Sequence, residues 1–189
     1  MESVIHSLDE QIMLRTLQKG DADDLFLLIE RNRSHLREWL PWIDGNTRVE
    51  HSIQFIEATQ IQVNAGLGPV CGIFIDGNIQ GVCGFHPYDS LSHSITLGYW
   101  LAKEYCGKNI TTLCAKTLIH FAFESLRVNK VYLNVGVGNW ASRKVATKLN
   151  MVNEGLIREG EFLNGRYHDL VSYSLLKREW LSLEKTKLF

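Results

Sequence analysis

The order of strand and helix patterns predicts an α/β fold of the α+β kind, with a mixed, mostly antiparallel central sheet flanked by helices. Three consecutive strand patterns lie over residues 70–75, 79–85 and 94–101, and Asp76-Gly77-Asn78 between the first two is a hairpin signal. Strand and helix patterns then alternate to the end of the chain. Because amphipathic helices must bury their apolar faces, these are expected to pack against the sheet.

The first part of the chain is predicted to hold one strand and two helices. Residues 11–17 form the strand, which ends before the Gly20-Asp21 turn signal. A helix follows, and a second short helix is predicted over residues 34–40, where Pro41 stops it because proline lacks an N–H donor. The apolar face of the first helix consists of Leu25, Leu28 and Ile29.

A third helix is predicted from a capping signal and an apolar stripe. Thr47-Arg-Val-Glu50 has the form of a capping box, in which the glutamate side chain bonds back to the start of the helix. The helix is expected to end near Gly66. Its stripe consists of Val49, Ile53, Ile56 and Val63.

The second half of the chain is predicted to add two helices and three strands. The first helix covers about residues 112–126, and the second is capped by Asn139 and ends near residue 149. The last two strands are expected to flank a loop that contains an Asn164-Gly165 turn. The three strands are predicted at residues 131–137, 152–159 and 169–176.

Length and charge restrict the classes of protein that the chain can represent. Its 189 residues fit a single domain, residues 1–189, large enough to bury a core. The net charge of −1 provides no global field for nucleic acid or an anionic membrane. No apolar run is long enough to span a bilayer, and the first residues lack a signal-peptide pattern, so a cytoplasmic protein is expected.

Cysteine and histidine spacing predicts no metal cofactor. The four cysteines form no Cys-x-x-Cys pair, which favours reduced structural thiols over a disulfide or a zinc site. The histidines show no metal-ligand spacing either. The cysteines are Cys71, Cys83, Cys106 and Cys114.

Residues 98–112 carry the most informative local pattern. An apolar strand runs into a short polar turn, and a helix begins directly after it. The first N–H groups of a helix lack internal partners and lie at the positive end of its dipole, so this junction can bind a phosphate group. Gly107 would let the backbone approach the ligand, Lys108 would add charge, and Thr111 and Thr112 would add hydroxyl donors. The alternative is an ordinary connection with a solvated lysine.

Four motifs together resemble the GCN5-related N-acetyltransferase (GNAT) superfamily, and most of all its RimJ/RimL-type ribosomal-protein N-terminal acetyltransferases. Their order and spacing cover about residues 10–178. The resemblance implies a GNAT-like fold, acetyl-CoA as co-substrate and an amine as acceptor. The motifs are Asn32…Leu36-Arg-Glu-Trp-Leu-Pro-Trp42, Gly98-Tyr-Trp-Leu101 with Gly107-Lys108, Asn139-Trp-Ala-Ser142…Val145…Leu149, and Glu161-Phe-Leu-Asn-Gly-Arg-Tyr-His-Asp169.

The phosphate turn departs from the superfamily pattern Q/R-x-x-G-x-G/A. Cys106, Asn109 and Thr111 occupy the three signature positions. Asn109 is the mildest change, because asparagine tolerates left-handed backbone better than most residues other than glycine. A reduced affinity for acetyl-CoA is therefore expected, and a degenerate module that binds acyl-CoA without catalysis is an alternative function.

The resemblance also implies which residues bind acetyl-CoA. Backbone N–H groups around Trp100 and Leu101 would polarise the thioester carbonyl, and Asn139 would donate to the pantetheine amide as well as cap its helix. Trp39 and Trp42 would line the acceptor groove, although packing in the core is an equal alternative. The phosphate-binding turn would consist of Gly107, Lys108, Asn109, Ile110, Thr111 and Thr112.

Two residues are candidates for proton transfer. The resemblance assigns Ser142 as the proton donor to the coenzyme A thiolate; the alternative is that it merely caps the helix. It assigns Glu161 as the general base for the amine, directly or through water; the alternative is a solvated glutamate in an acidic loop. His168 and Asp169 make a poor catalytic pair, because adjacent residues on a strand point to opposite faces.

The predicted function is acetyl-CoA-dependent N-acetylation by direct transfer in a ternary complex, because no cysteine lies in either catalytic segment. An N-terminal α-amine has a pKa of about 7.7–8.0, against about 10.4 for lysine, and therefore suits a modest base. The family's default acceptor is a ribosomal protein. A polyamine or an aminoglycoside-like amine is the alternative acceptor, and the resemblance together with clustered tryptophans predicts a homodimer.

Overall fold

The computed structural model describes residues 5–8 and 11–186, within which one eight-stranded sheet and five α-helices are found. The helices are α1 (Ala22–Leu36), α2 (Val49–Asn64), α3 (Ile110–Glu124), α4 (Trp140–Lys148) and α5 (Lys177–Lys185). The strands are β1 (Ile5–Ser7), β2 (Ile12–Thr16), β3 (Val70–Ile75), β4 (Asn78–Phe85), β5 (Ser94–Leu101), β6 (Lys130–Gly136), β7 (Val152–Leu163) and β8 (Arg166–Leu176).

The sheet has the order β1-β2-β3-β4-β5-β6-β8-β7, and all neighbours are antiparallel except β5 and β6. That parallel pair spans only three positions, from Ser94 opposite Lys130 to Thr96 opposite Tyr132. Beyond Thr96 the two strands diverge, which leaves a gap between their C-terminal ends. The predicted mixed, mostly antiparallel sheet is confirmed.

Helices cover both faces of the sheet and enclose two apolar cores. One core contains the buried face of α3, where Leu118, Ile119 and Ala122 are fully buried. The other contains Leu25 and Ile29 of α1 together with residues of α2 and β4. The sheet is therefore packed against helices on both faces, and the gap between β5 and β6 lies within this packed structure.

The short helix predicted over residues 34–40 is wrong. Helix α1 continues without a break to Leu36, and turns follow in which the N–H groups of Trp39 and Leu40 bond to the carbonyl of Leu36. Polar side chains near the end of α1 bond the helix to neighbouring segments. Arg33 bonds to the carbonyl of Ile43, and Asn32 accepts the N–H of Lys103.

The capping box predicted at Glu50 is also wrong. The ring nitrogen Nδ1 of His51 accepts the N–H groups of Thr47 at 3.1 Å and Arg48 at 3.3 Å. Helix α2 does end just before Gly66, which has a left-handed φ of 72°. The β3–β4 hairpin is confirmed, since Asp76 and Gly77 have positive φ values of 49° and 79°, as a tight hairpin turn requires.

The loop predicted between the last two strands is a continuation of both. Strands β7 and β8 form one long hairpin that closes at the two-residue turn Asn164-Gly165. Its register shifts between Ile157 and Glu161, which marks a bulge. The carboxylate of Asp169 accepts the N–H of Glu159 at 2.7 Å and so fastens this bulge. Asn-Gly pairs favour such tight turns, and the apparent loop is paired backbone.

Two elements were not predicted from the sequence: strand β1 and helix α5. Trp180 of α5 is buried and stacks on Phe123 with ring centroids 5.2 Å apart. No helix in the described part of the chain has the length and apolar character needed to cross a membrane. All four cysteines are free thiols; Cys106 is exposed and the other three are buried.

Candidate active site

Two clefts of about 500 Å³ each meet at the C-terminal end of β5. The α3–α4 cleft lies between the start of α3, the first turns of α4 and the end of α1. The α1–α2 cleft lies between those two helices and strands β4 and β5. Leu40, Tyr99 and Trp100 line both clefts, so molecules bound in the two would meet at these side chains.

The start of α3 has the geometry of an anion site. Gly107 and Asn109 both have left-handed backbone, with φ values of 79° and 65°, and Asn109 is the residue before the first helical turn. The next three residues, Ile110, Thr111 and Thr112, line the α3–α4 cleft. Their N–H groups belong to the first turn and have no partners within the helix. Asparagine therefore fulfils the conformational role that glycine has in the superfamily pattern.

The charge at this turn comes from α4, which the sequence reasoning missed. Lys148 donates to the side-chain oxygen of Asn109 at 2.9 Å, and Lys144, one helical turn earlier, also lines the cleft. The predicted Lys108 instead lies over the ring of Tyr105, with its nitrogen 4.9 Å from the ring centroid, outside the cleft lining. The spacing of Lys144 and Lys148 was the available sequence signal, because residues four apart lie on the same face of a helix.

Only one of the two predicted carbonyl-polarising N–H groups faces the gap in the sheet. The N–H of Ala102 bonds to Gln80, the N–H of His86 bonds to Thr96, and the register between β4 and β5 is regular. Because hydrogen-bonded pairs alternate along an antiparallel ladder, Trp100 is bonded to β4. The N–H of Leu101 points the other way, toward the gap left by β6. No bulge in β5 is needed to free it.

Ser142 and Asn139 lie together at the start of α4. The side-chain oxygen of Asn139 accepts the backbone N–H of Ser142 at 3.1 Å, so Asn139 is the cap and the serine hydroxyl is not needed for it. The hydroxyl of Tyr99 approaches the carbonyl of Ser142 at 3.5 Å across the gap between β5 and α4. Burial raises the pKa of Tyr99, which keeps its hydroxyl protonated as a hydrogen-bond donor.

The two predicted groove tryptophans lie in different clefts. Trp39 lines the α3–α4 cleft and packs so closely over β6 that a Cβ added to Gly136 would lie 3.3 Å from its ring. Trp42 lines the α1–α2 cleft, 40% exposed at its rim, with its ring centroid 6.3 Å from that of Trp100. Only Trp42 therefore lies on the wall expected of an acceptor groove.

Glu161 lies on the β7–β8 hairpin, outside the lining of either cleft. It is half-buried and stands opposite His168 in the ladder. Burial raises the pKa of Glu161, and the nearby His168 opposes this with a smaller lowering effect. The hairpin turn is tied to the end of α1, because Asn164 donates to the carbonyl of Arg37 at 3.1 Å, two residues before Trp39.

The α1–α2 cleft is walled mostly by apolar and aromatic groups. One face of α2 supplies His51, Phe55 and Gln62, and the sheet supplies Gly98 and Trp100. Of the residues that the structure describes, none that lines this cleft is aspartate or glutamate. No group of three His, Cys, Asp or Glu side chains in the described ranges is placed to hold a metal ion.

A domain model described as an acetyltransferase (GNAT) domain matches residues 11–152, which is most of the 189-residue chain. The fold, with its diverging strands and helix-start anion site, agrees with this match. The chain therefore belongs to the GNAT acetyltransferase family and is an acetyltransferase.

Relatives with named activities fall into two acceptor groups. The protein named "Putative ribosomal N-acetyltransferase YdaF" from Bacillus subtilis (strain 168) is 37% identical over 174 residues, covering 92% of this chain and 95% of that protein. The ribosomal-protein-serine acetyltransferase of Escherichia coli (strain K12) is 25% identical, covering 88% and 93%. The spermidine N(1)-acetyltransferase of Vibrio cholerae serotype O1 (strain ATCC 39315 / El Tor Inaba N16961) is 29% identical, covering 93% and 98%.

A solved structure places co-substrate in a closely similar fold. The microcin C7 self-immunity acetyltransferase MccE, in complex with acetyl-CoA and AMP, superposes with a TM-score of 0.85 at 26% identity, covering 89% of this chain and 94% of that one.

Proposed function

We propose that the protein transfers the acetyl group of acetyl-CoA directly to the N-terminal α-amine of a protein, with a ribosomal protein as the favoured acceptor. The observation that carries this proposal is the shared wall of the two clefts. Tyr99 and Trp100 line both, so a donor in one and an amine in the other would meet without a covalent intermediate on the enzyme.

The α3–α4 cleft fits acetyl-CoA. The N–H groups at the start of α3 and the ammonium groups of Lys144 and Lys148 suit the negative charges of a pyrophosphate. The gap between β5 and β6 would hold the extended pantetheine chain, toward which the N–H of Leu101 would point. That N–H would polarise the thioester carbonyl where negative charge develops.

Ser142 and Glu161 would move the protons. The hydroxyl of Ser142 is not engaged in capping and lies in the cleft, from which it can donate to the departing thiolate. Glu161 would accept the amine proton through a water molecule, because the hairpin holds it outside the cleft lining. Its raised pKa makes it a stronger base than an exposed glutamate.

The composition of the α1–α2 cleft favours an N-terminal amine over a polyamine. A polyamine carries several positive charges and would call for carboxylates, and the described lining contains none. The similarity to ribosomal-protein acetyltransferases agrees with a protein acceptor, and with a cytoplasmic place of action. The left-handed geometry at Asn109 supports acetyl-CoA binding at the turn before α3.

Titration calorimetry with acetyl-CoA, followed by mass spectrometry of acetylated ribosomal proteins, tests the proposal. We expect one acetyl-CoA per chain and a mass gain on an N-terminal α-amine that requires active enzyme. Acetyl-CoA binding without acetylation of any protein would support the degenerate module, and absence of acetyl-CoA binding would overturn the proposal. Acetylation of spermidine in preference to every protein would replace the proposed acceptor.

A homodimer is part of the proposal. Strand β7 is the outer edge of the sheet, and Val152, Leu156 and Phe162 on it are 52%, 57% and 58% exposed. Such an exposed apolar edge is a site for pairing with another chain. Light scattering over a concentration series should report twice the chain mass of 21.6 kDa, and a constant mass of one chain would end this part of the proposal.

A further inference from the structure

We infer that the α1–α2 cleft selects acceptors whose first residue has a large aliphatic or aromatic side chain, such as leucine, methionine or phenylalanine. This inference rests on the proposed function and names the acceptor class within it. The residues that would make the selection are Trp42, Phe55, Gly98 and Trp100.

The cleft continues directly from the place of reaction. Tyr99 and Trp100 border both clefts, so an α-amine that faces the thioester lies beside them. The side chain of the acceptor's first residue is bonded to the same carbon as that amine. It is therefore the part of the acceptor that lies nearest to the α1–α2 cleft. At about 510 Å³ the cleft lies within the range of small-molecule pockets and accommodates a large side chain.

The walls match an apolar side chain. The rings of Trp42 and Trp100 stand 6.3 Å apart at 54° on one side, and Phe55 of α2 closes another. Burying apolar surface stabilises the complex by about 25 cal/mol per Å², so leucine or phenylalanine gains more here than serine or alanine. No carboxylate stands in the described lining to compensate a charged side chain.

One polar side chain in the cleft matches a peptide carbonyl. His51 accepts two backbone N–H groups at Nδ1, so in its neutral form the proton is on Nε2. Because His51 lines the cleft, this N–H would donate to a substrate carbonyl.

Gly98 keeps the floor of the cleft open. A Cβ built on it would meet only the ring of His86, at 3.5 Å, and its backbone is not left-handed. A larger residue at this position is therefore compatible with the strand and would project into the cleft. The α3–α4 cleft does not include Gly98, so such a change leaves the cofactor side intact.

The test measures kcat/KM for peptides that differ only in their first residue, with spermidine as a further acceptor. We expect leucine, methionine and phenylalanine peptides to exceed serine and alanine peptides by about tenfold or more, the discrimination that an apolar pocket provides. Equal or greater activity on serine and alanine peptides would overturn the inference while leaving the proposed function standing. Acetyl-CoA binding without acetylation of any peptide would instead overturn the proposed function.

Two variants with matched controls localise the selection. The quantity compared is the ratio of kcat/KM on phenylalanine or leucine peptides to kcat/KM on serine peptides. Gly98→Val should lower this ratio by at least about fivefold. Gly20→Val is the control, because it lies outside both clefts with open space around it, and it should not change the ratio. Phe55→Ser should lower the same ratio of activities. Ile61→Ser is its control, because Ile61 is 70% exposed on the same helix, and it should not change the ratio. An unchanged ratio in both Gly98→Val and Phe55→Ser, with acetyl-CoA affinity retained, would refute the assignment of this cleft.

Discussion

The two clefts that meet at β5 are built from different parts of the chain. The α3–α4 cleft presents main-chain N–H groups at the start of α3 and in the gap beside β6, supplemented by two lysines. The α1–α2 cleft presents side chains, mostly aromatic and aliphatic. A cleft built from main chain tolerates substitution provided that its backbone conformation is kept. A cleft built from side chains changes specificity with single substitutions, and the two can therefore diverge independently.

This difference explains how an altered phosphate turn keeps the backbone geometry of an anion site. Asn109 adopts the left-handed conformation, and the exposed Cys106 places its sulfur near the carbonyls of Leu101 and Ala102, at 3.9 and 3.5 Å. The N–H groups that would contact phosphate belong to the backbone of α3 and do not depend on side-chain identity. The reduced affinity expected from the sequence remains a prediction.

The largest expected effect is that of Glu161→Gln, which should lower kcat by about 10²–10⁴-fold at neutral pH. The loss should shrink at high pH, where the acceptor amine deprotonates without help. Steady-state rates from pH 6 to pH 10 on the true acceptor check this. A rate within a few-fold of wild type at pH 7 would remove Glu161 from the mechanism.

The stability of the same variant provides its control. Burial raises the pKa of Glu161 above that of the unfolded chain, so the folded protein binds this proton more tightly. Its contribution to stability is therefore greatest below the unfolded pKa and is lost as pH rises through the folded pKa. Glu161→Gln should accordingly unfold at an equal or higher temperature at pH 7, and a lower melting temperature would indicate a structural defect.

Ser142→Ala should lower kcat by about 10²-fold while leaving the KM for acetyl-CoA nearly unchanged. The helix cap uses the backbone N–H of Ser142 and the side chain of Asn139, so the fold should be retained. Asn139→Ala is the comparison variant, which removes the cap itself and should reduce the melting temperature. Wild-type kcat in Ser142→Ala would exclude the hydroxyl as proton donor.

Lys148→Met should weaken acetyl-CoA binding a few-fold, about fivefold at most for an exposed charge, and the effect should fade at high salt. Lys108→Met is the matched control on the other side of the turn, because Lys108 lies over Tyr105 outside the cleft lining. Calorimetry at two salt concentrations compares them. If Lys108→Met lost more affinity for acetyl-CoA than Lys148→Met, the charge at the turn would be assigned to Lys108 and not to α4.

The smallest effect is expected from Asn109→Gly, which should keep or slightly tighten acetyl-CoA binding. Glycine adopts the observed φ of 65° without steric cost, which offsets the loss of the contact with Lys148. Calorimetric titration of the variant checks this. A loss of more than about tenfold would show that the turn is not the phosphate site.

Local sequence signals were sufficient wherever a few neighbouring residues fix the backbone. Asn139 caps α4 and Asp76-Gly77 closes a hairpin, as predicted. Local reasoning chose the wrong neighbour at the start of α2, where His51 rather than Glu50 accepts the N–H of Arg48. It also failed where a more distant partner decided the outcome, because pairing with β8 turned the loop expected around Glu161 into strand.

By itself, the sequence determined the class of fold, the order of most of its elements and the start of α3 after a polar turn, because helix and strand periodicity and turn chemistry act over a few residues. Only the tertiary structure decided that β5 and β6 part after Thr96, that Lys148 rather than Lys108 faces the turn, and that Trp39 and Trp42 line different clefts. These features depend on contacts between segments far apart in the chain, such as Lys148 with Asn109, and such contacts form only when helices and sheet pack together.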